Sequence, residues 1–124
     1  MSALDLYPTV LELTGAPAPP QAPMGRSLST LIADPAAPHR DTVFAECVGV
    51  GGKPGQGHRM ARGDRWKLIL SDADEEFLFD QQADPQELHD RRNDPSLAPI
   101  VAKLRGELAA WMALIGDRPY PPMK

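Results

Sequence analysis

Few residues in this chain have the type and spacing for chemistry. His58 and Arg59 stand side by side at the entrance of a β-rich run. A His–Arg pair can grip an oxyanion such as phosphate or sulfate. Lys53 lies just upstream, in a stretch that also carries Gly49, Gly51, Gly52, Gly55 and Gly57. A phosphate-cradling loop needs a Lys followed by Ser or Thr at the opening of a helix. Here Pro54 follows Lys53 and a strand comes next, so the stretch reads as a mobile hairpin loop or as the flexible rim of a substrate cleft. His58, Arg59 and Lys53 are therefore candidates for contact with an anionic substrate at such a rim. The plainer reading of His58 is a surface histidine on an antiparallel strand.

Other constellations fail on spacing. Asp72, Asp74, Glu75 and Glu76 lack the central Gly and the alternation of a calcium loop and read as a solvated turn. His39, His58 and His89 share no i, i+4 spacing, so no two-His zinc face exists. Cys47 is the single cysteine, which excludes a disulfide framework and a multi-cysteine zinc site and reads as a buried strand thiol. No strained Gly-x-Ser-x-Gly turn occurs. Local spacing alone yields no catalytic centre and no metal site.

The elements that must position these residues are clearer. Leu6 to Thr14 reads as a helix with Asp5 as its cap, Pro8 in the first turn and Gly15 as the left-handed stop. Ala16 to Gly25 is a Pro-rich extended link, and Ser27 can cap a short second helix that ends at Asp34-Pro35. Four short strands follow: Thr42–Cys47, His58–Arg62, Trp66–Leu70 and Glu76–Asp80. The last three are joined by tight links, and the first link is long. Leu97, Ile100, Val101, Leu104, Leu108, Trp111, Met112 and Ile115 recur at three and four residues and predict a long terminal helix, capped at Asp94 and stopped at Gly116. The fold class is α+β: a four-stranded antiparallel sheet packed by a long C-terminal helix, with one or two N-terminal helices.

The chain has 124 residues, the size of one domain, divided into a helical lead-in over 1–41, a sheet over 42–80 and a helix over 94–116. Its 14 Pro and 10 Gly imply much turn and loop. A net charge of −4 argues against a general nucleic-acid binder. No apolar run approaches the ~20 residues needed to span a bilayer. Met1-Ser2-Ala3-Leu4-Asp5 has no basic start leading into an apolar stretch, so the chain reads as cytoplasmic.

The order of motifs adds a resemblance. Asp5-Leu6-Tyr7-Pro8-Thr9 leads to Leu13-Thr14-Gly15, then Gly25-Arg26-Ser27-Leu28, Arg40-Asp41, Arg59-Met60-Ala61-Arg62 and Trp66-Lys67-Leu68-Ile69. Leu78-Phe79-Asp80 and Asp84-Pro85-Gln86-Glu87 follow, and the closing helix ends near Trp111. In this order the chain resembles the C-terminal portion of the sulfatase family, in the alkaline-phosphatase-like superfamily. Phe79 stands where that family usually has Tyr, and Asp90 where it usually has Asn.

The resemblance implies sulfuric-ester hydrolysis, with calcium and a formylglycine nucleophile, for a full-length relative. Cys47 is followed by Val48-Gly49-Val50 and does not match the C-x-P-x-R motif that becomes formylglycine. The chain alone is then expected to carry no cofactor and no activity, and to serve as cleft wall and buttress. The alternative is a free-standing anion- or protein-binding module that kept the fold. The surface that faces the catalytic portion in a relative is expected to make this chain a homo-oligomer, with no nucleic-acid or membrane partner.

Overall fold

The computed structural model describes residues 2–21, 24–47 and 57–118. The chain divides into two compact units, Met1–Asp41 and Thr42–Lys124.

In the first unit a single 3-10 turn, Ala3–Asp5, runs into helix α1, Leu6–Thr14. The turn moves the cap upstream of the expected position. Ser2 accepts from the Leu4 N–H, and the Asp5 carboxylate accepts from the Ser2 N–H at 2.7 Å, which makes a capping box. Asp5 itself is helical in φ and ψ and does not cap α1 with its side chain. Pro8 falls in the first turn of α1, where its missing N–H has no helical partner to lose. Gly15 ends the helix at φ 66°, and the Gly15 and Ala16 N–H groups reach back to Glu12 and Leu11. Helix α2, Ser29–Ala33, is one short turn introduced by Ser27, whose hydroxyl accepts from the Ser29 N–H.

The second unit is an antiparallel meander of β1 Val43–Cys47, β2 His58–Arg62, β3 Trp66–Ser71 and β4 Glu76–Asp80, in the spatial order β1-β2-β3-β4. The register pairs Ala61 with Phe44 and Leu68, and Leu68 with Leu78. Alternation sends these residues to one face. There Ala61, Leu68, Leu70 and Leu78 meet Val101, Leu104, Leu108 and Met112 of helix α3, Ala98–Leu114, and form the buried core. Phe44 stacks on Trp111 with ring centroids 5.4 Å apart, and the Thr42 hydroxyl donates to Glu107 at 2.6 Å. Both contacts fasten β1 to the helix. Asp94 caps the 3-10 turn Pro95–Leu97 that leads into α3, and Gly116 turns the chain out at φ 71°.

The outer edge of β4 is covered by its own chain. The Leu78 N–H donates to Asp90 Oδ1 at 2.9 Å, and the Arg91 N–H donates to the Leu78 carbonyl at 2.8 Å. Asp90 therefore does with a carboxylate oxygen what the amide oxygen of an Asn would do.

Candidate functional site

Two polar clusters stand out, one in each unit. In the second unit, Arg59 on β2 lies on the same strand face as Ala61, toward the end of α3. Its Nε and Nη2 donate to the two oxygens of Asp117 at 2.7 and 3.1 Å, and its Nη1 donates to Asp72 in the β3–β4 turn. All three side chains are mostly buried. Asp72 also accepts from the Gly57 N–H at 2.8 Å. A Cβ at Gly57 would sit 2.6 Å from that carboxylate oxygen and from the Cys47 carbonyl, so only glycine fits where the chain enters β2. Arg118 completes the cluster by donating to Asp74 at 2.6 Å and to the Ser71 carbonyl at 3.1 Å.

The electrostatics follow from this pairing. Hydrogen bonding to Asp117 raises the Arg59 pKa, burial opposes it, and Asp72 adds to the rise. The Asp72 carboxyl is held below its ordinary value first by the Gly57 N–H, against burial, with help from Arg59. Two carboxylates around one guanidinium leave that group committed to holding the base of the long β1–β2 connection.

His58 goes the other way. It is exposed, and adjacency on a strand puts it on the face opposite Arg59, with Met60 and Arg62. Its register partners are Cys47 and Ser71. The fold thus separates the two halves of the expected His–Arg pair. Lys53 lies outside the described residues. The acidic run read as a solvated turn is more deeply engaged than its sequence suggests. Asp72 and Asp74 pair with arginines, and Glu76 is held by Arg92 at 2.7 Å and by Arg105. Among the described residues, no three His, Cys, Asp or Glu side chains converge as a metal would require.

In the first unit the centre is Asp5, which is fully buried. Its carboxylate accepts from the Ser2 N–H, from the Arg26 N–H at 2.9 Å and from the Arg40 guanidinium, and His39 Nε2 stands 3.8 Å away. Burial pushes this carboxyl up; the Arg26 and Ser2 N–H groups, Arg40 and His39 outweigh it and hold it below its ordinary value. Gly25 permits the approach, because a Cβ there would fall 1.9 Å from the Leu4 carbonyl oxygen. Three separated motifs, at residues 5–9, 25–28 and 40–41, meet at one carboxylate. Sequence reading places Asp5 as a cap and misses this role. Among the described residues only Arg40 hydrogen-bonds Asp5 through its side chain; Ser2 and Arg26 use backbone N–H groups, which no residue type announces.

A third pair closes β4. Arg65 donates to both oxygens of Asp80, at distances of 2.7–3.1 Å, and lies over the Trp66 ring. These bonds, aided by the Ala83 and Gln82 N–H groups against burial, hold Asp80 at about 2.

The comparisons with known proteins agree with this anatomy. A family profile described as N-sulphoglucosamine sulphohydrolase, C-terminal, matches residues 1–113. The chain belongs to that family. Among solved structures, this sulfatase C-terminal chain is similar to a 2-O GAG sulfatase, with 27% identity and a TM-score of 0.71. The match covers 91% of this chain and 25% of that one. It is also similar to a phosphonate monoester hydrolase from Silicibacter pomeroyi, with 25% identity and a TM-score of 0.69, over 89% of this chain and 24% of that one. A third structure, solved with its substrate D-glucosamine-2-N,6-O-disulfate, shares the fold at 22% identity and a TM-score of 0.77, over 96% and 25% of the two chains. The sulfatase C-terminal chain thus spans about a quarter of the length of the structures it matches. No curated protein sequence matches it.

Proposed function

We propose that this chain serves sulfuric-ester hydrolysis as the C-terminal part of a sulfatase, buttressing the catalytic portion and walling its cleft, and that it does not turn over substrate alone. The observation that carries this reading is the family match over residues 1–113, combined with coverage of only 25% of a 2-O GAG sulfatase. The residues present do not fit the group the family uses. Cys47 lacks the C-x-P-x-R context of a formylglycine precursor, and the described residues offer no calcium ligand set. Calcium and formylglycine would belong to the remainder of the fold.

At the cleft wall, His58 and Lys53 are the groups that would meet an anionic ester. Arg59 would contribute as a positioning residue, since three of its N–H groups hold Asp72 and Asp117. The exposed apolar surface that a catalytic portion would cover makes the isolated chain self-associate. No described helix is long and apolar enough to cross a membrane.

The test is direct. The purified chain, produced with and without a formylglycine-generating enzyme and assayed with calcium, is expected to leave 4-nitrophenyl sulfate untouched. Turnover above a blank that survives repurification overturns the reading.

A further inference from the structure

The Asp5 carboxylate is not fully used. A carboxylate oxygen has room for two hydrogen bonds. Oδ1 accepts two, from the Arg26 N–H at 2.9 Å and from Arg40 Nη2. Among the described residues, Oδ2 accepts one, from the Ser2 N–H at 2.7 Å. His39 Nε2 stands 3.8 Å from that same oxygen, beyond hydrogen-bond distance. This ring nitrogen is buried and has no hydrogen-bond partner. An acceptor with a place to spare and a buried nitrogen without a partner thus stop about 1 Å short of a bond.

Charge decides when the gap closes. Burial works against ionisation of Asp5, but the Arg26 and Ser2 N–H groups, Arg40 and His39 hold its carboxyl below the ordinary value. Asp5 therefore remains a carboxylate through the range in which histidine side chains exchange a proton. A neutral imidazole offers it an uncharged donor. An imidazolium offers a charge-assisted one, shorter and about twice as strong. Asp5 and Arg40 are the charged groups around His39 in this node. Arg40 opposes a second positive charge, but its Nη2 is already committed to Oδ1.

We propose that His39 is a proton-operated clasp on the lead-in: on gaining a proton, its ring closes Nε2–H onto Asp5 Oδ2 and adds a bond to the node that ties Ser2, Arg26 and Arg40 together. Helix α1 feels the change directly, because Thr9 donates to the Asp5 carbonyl and accepts from the Leu28 N–H. The sign follows from the charges. The added stability is present where His39 is protonated and Asp5 ionised. It is lost as pH rises and the imidazole gives up its proton. The clasp concerns the order of the lead-in and stands whether or not the chain serves a sulfatase.

The experiment is hydrogen exchange at the α1 amides of the full chain, corrected for intrinsic rates, at about pH 5.5 and about pH 8. It compares the wild type with His39→Gln, His39→Phe and His89→Gln, each checked for folding by circular dichroism. His89 is the control, because it is 77% exposed beside Asp84 in the second unit. The expected result is wild-type protection about fivefold greater at the lower pH, from one charge-assisted bond. His89→Gln should keep that ratio, and both His39 variants should lose it. Long-range proton–nitrogen spectra read His39 itself: both ring nitrogens should carry protons at the lower pH and one at the higher. A wild type without the pH dependence, a dependence that survives in a folded His39 variant, or a His39 ring that stays neutral at the lower pH overturns the proposal.

Discussion

Arg59 and Asp117 are 58 residues apart in sequence and share two hydrogen bonds, at 2.7 and 3.1 Å. The pair ties the second strand to the residue just beyond the long helix. Asp117→Ala removes both bonds and leaves a mostly buried guanidinium with Asp72 as its remaining partner. The expected cost is about 2 kcal/mol, below that of a fully orphaned buried charge because Asp72 persists. Urea denaturation of the wild type and variant measures it, and a loss under about 0.5 kcal/mol would show that the pair contributes only surface-like energy.

Acid stability should track the held carboxyls. Asp80 is lowered from 3.8 to about 2 in the folded chain, chiefly by Arg65. A depressed folded pKa contributes stability that is present above the unfolded value and is lost as pH falls through the folded one. The Asp80 contribution is therefore full above pH ~4 and disappears toward pH ~2. Thermal melts of wild type and Asp80→Asn from pH 6 to 2 should converge across that window. Parallel curves would contradict the assignment.

Asp90→Asn should be nearly silent, within about 0.5 kcal/mol, because an amide oxygen can still accept from the Leu78 N–H. Asp90→Leu removes the acceptor from the edge of β4 and should cost about 1–2 kcal/mol. The two midpoints in one denaturation series decide this, and equal losses would show that charge, not the acceptor, matters.

Glycines 25 and 106 should respond in opposite directions to alanine. Gly25→Ala places a methyl 1.9 Å from the Leu4 carbonyl oxygen and must push apart the backbone around Asp5. Hydrogen exchange at the α1 amides should accelerate at least tenfold. Gly106 lies in α3, and a methyl added there would meet nothing within 4 Å, so Gly106→Ala should stabilise by about 0.5–1 kcal/mol. A neutral Gly25→Ala would deny the close approach.

The sheet and the long helix were legible because their cues are local. Period-two runs such as Trp66–Leu70 and the three-four spacing of Val101, Leu104, Leu108 and Met112 report their own burial. The Gly15 and Gly116 stops were equally local. The polar clusters were not legible, because each depends on residues far apart in sequence. Nothing near Arg59 announces Asp117, and Asp72 sits in an acidic run that looks solvated. Asp5 looks like a cap from its neighbours alone. Its partners Arg26 and Arg40 lie 21 and 35 residues on. The His58–Arg59 pair misled for the opposite reason. Adjacency in sequence suggests a joint grip, yet a strand turns neighbours to opposite faces.

The convergence on Asp5 has a consequence in polymer terms. One carboxylate closes two nested loops, of 21 and 35 residues, without a covalent bond. Closing each loop costs entropy that grows only slowly with its length, so a single polar node can organise a long Pro-rich segment at modest cost. The same arithmetic makes the segment brittle. Removing Asp5 releases both loops together, and the lead-in should lose its order as a unit and not residue by residue.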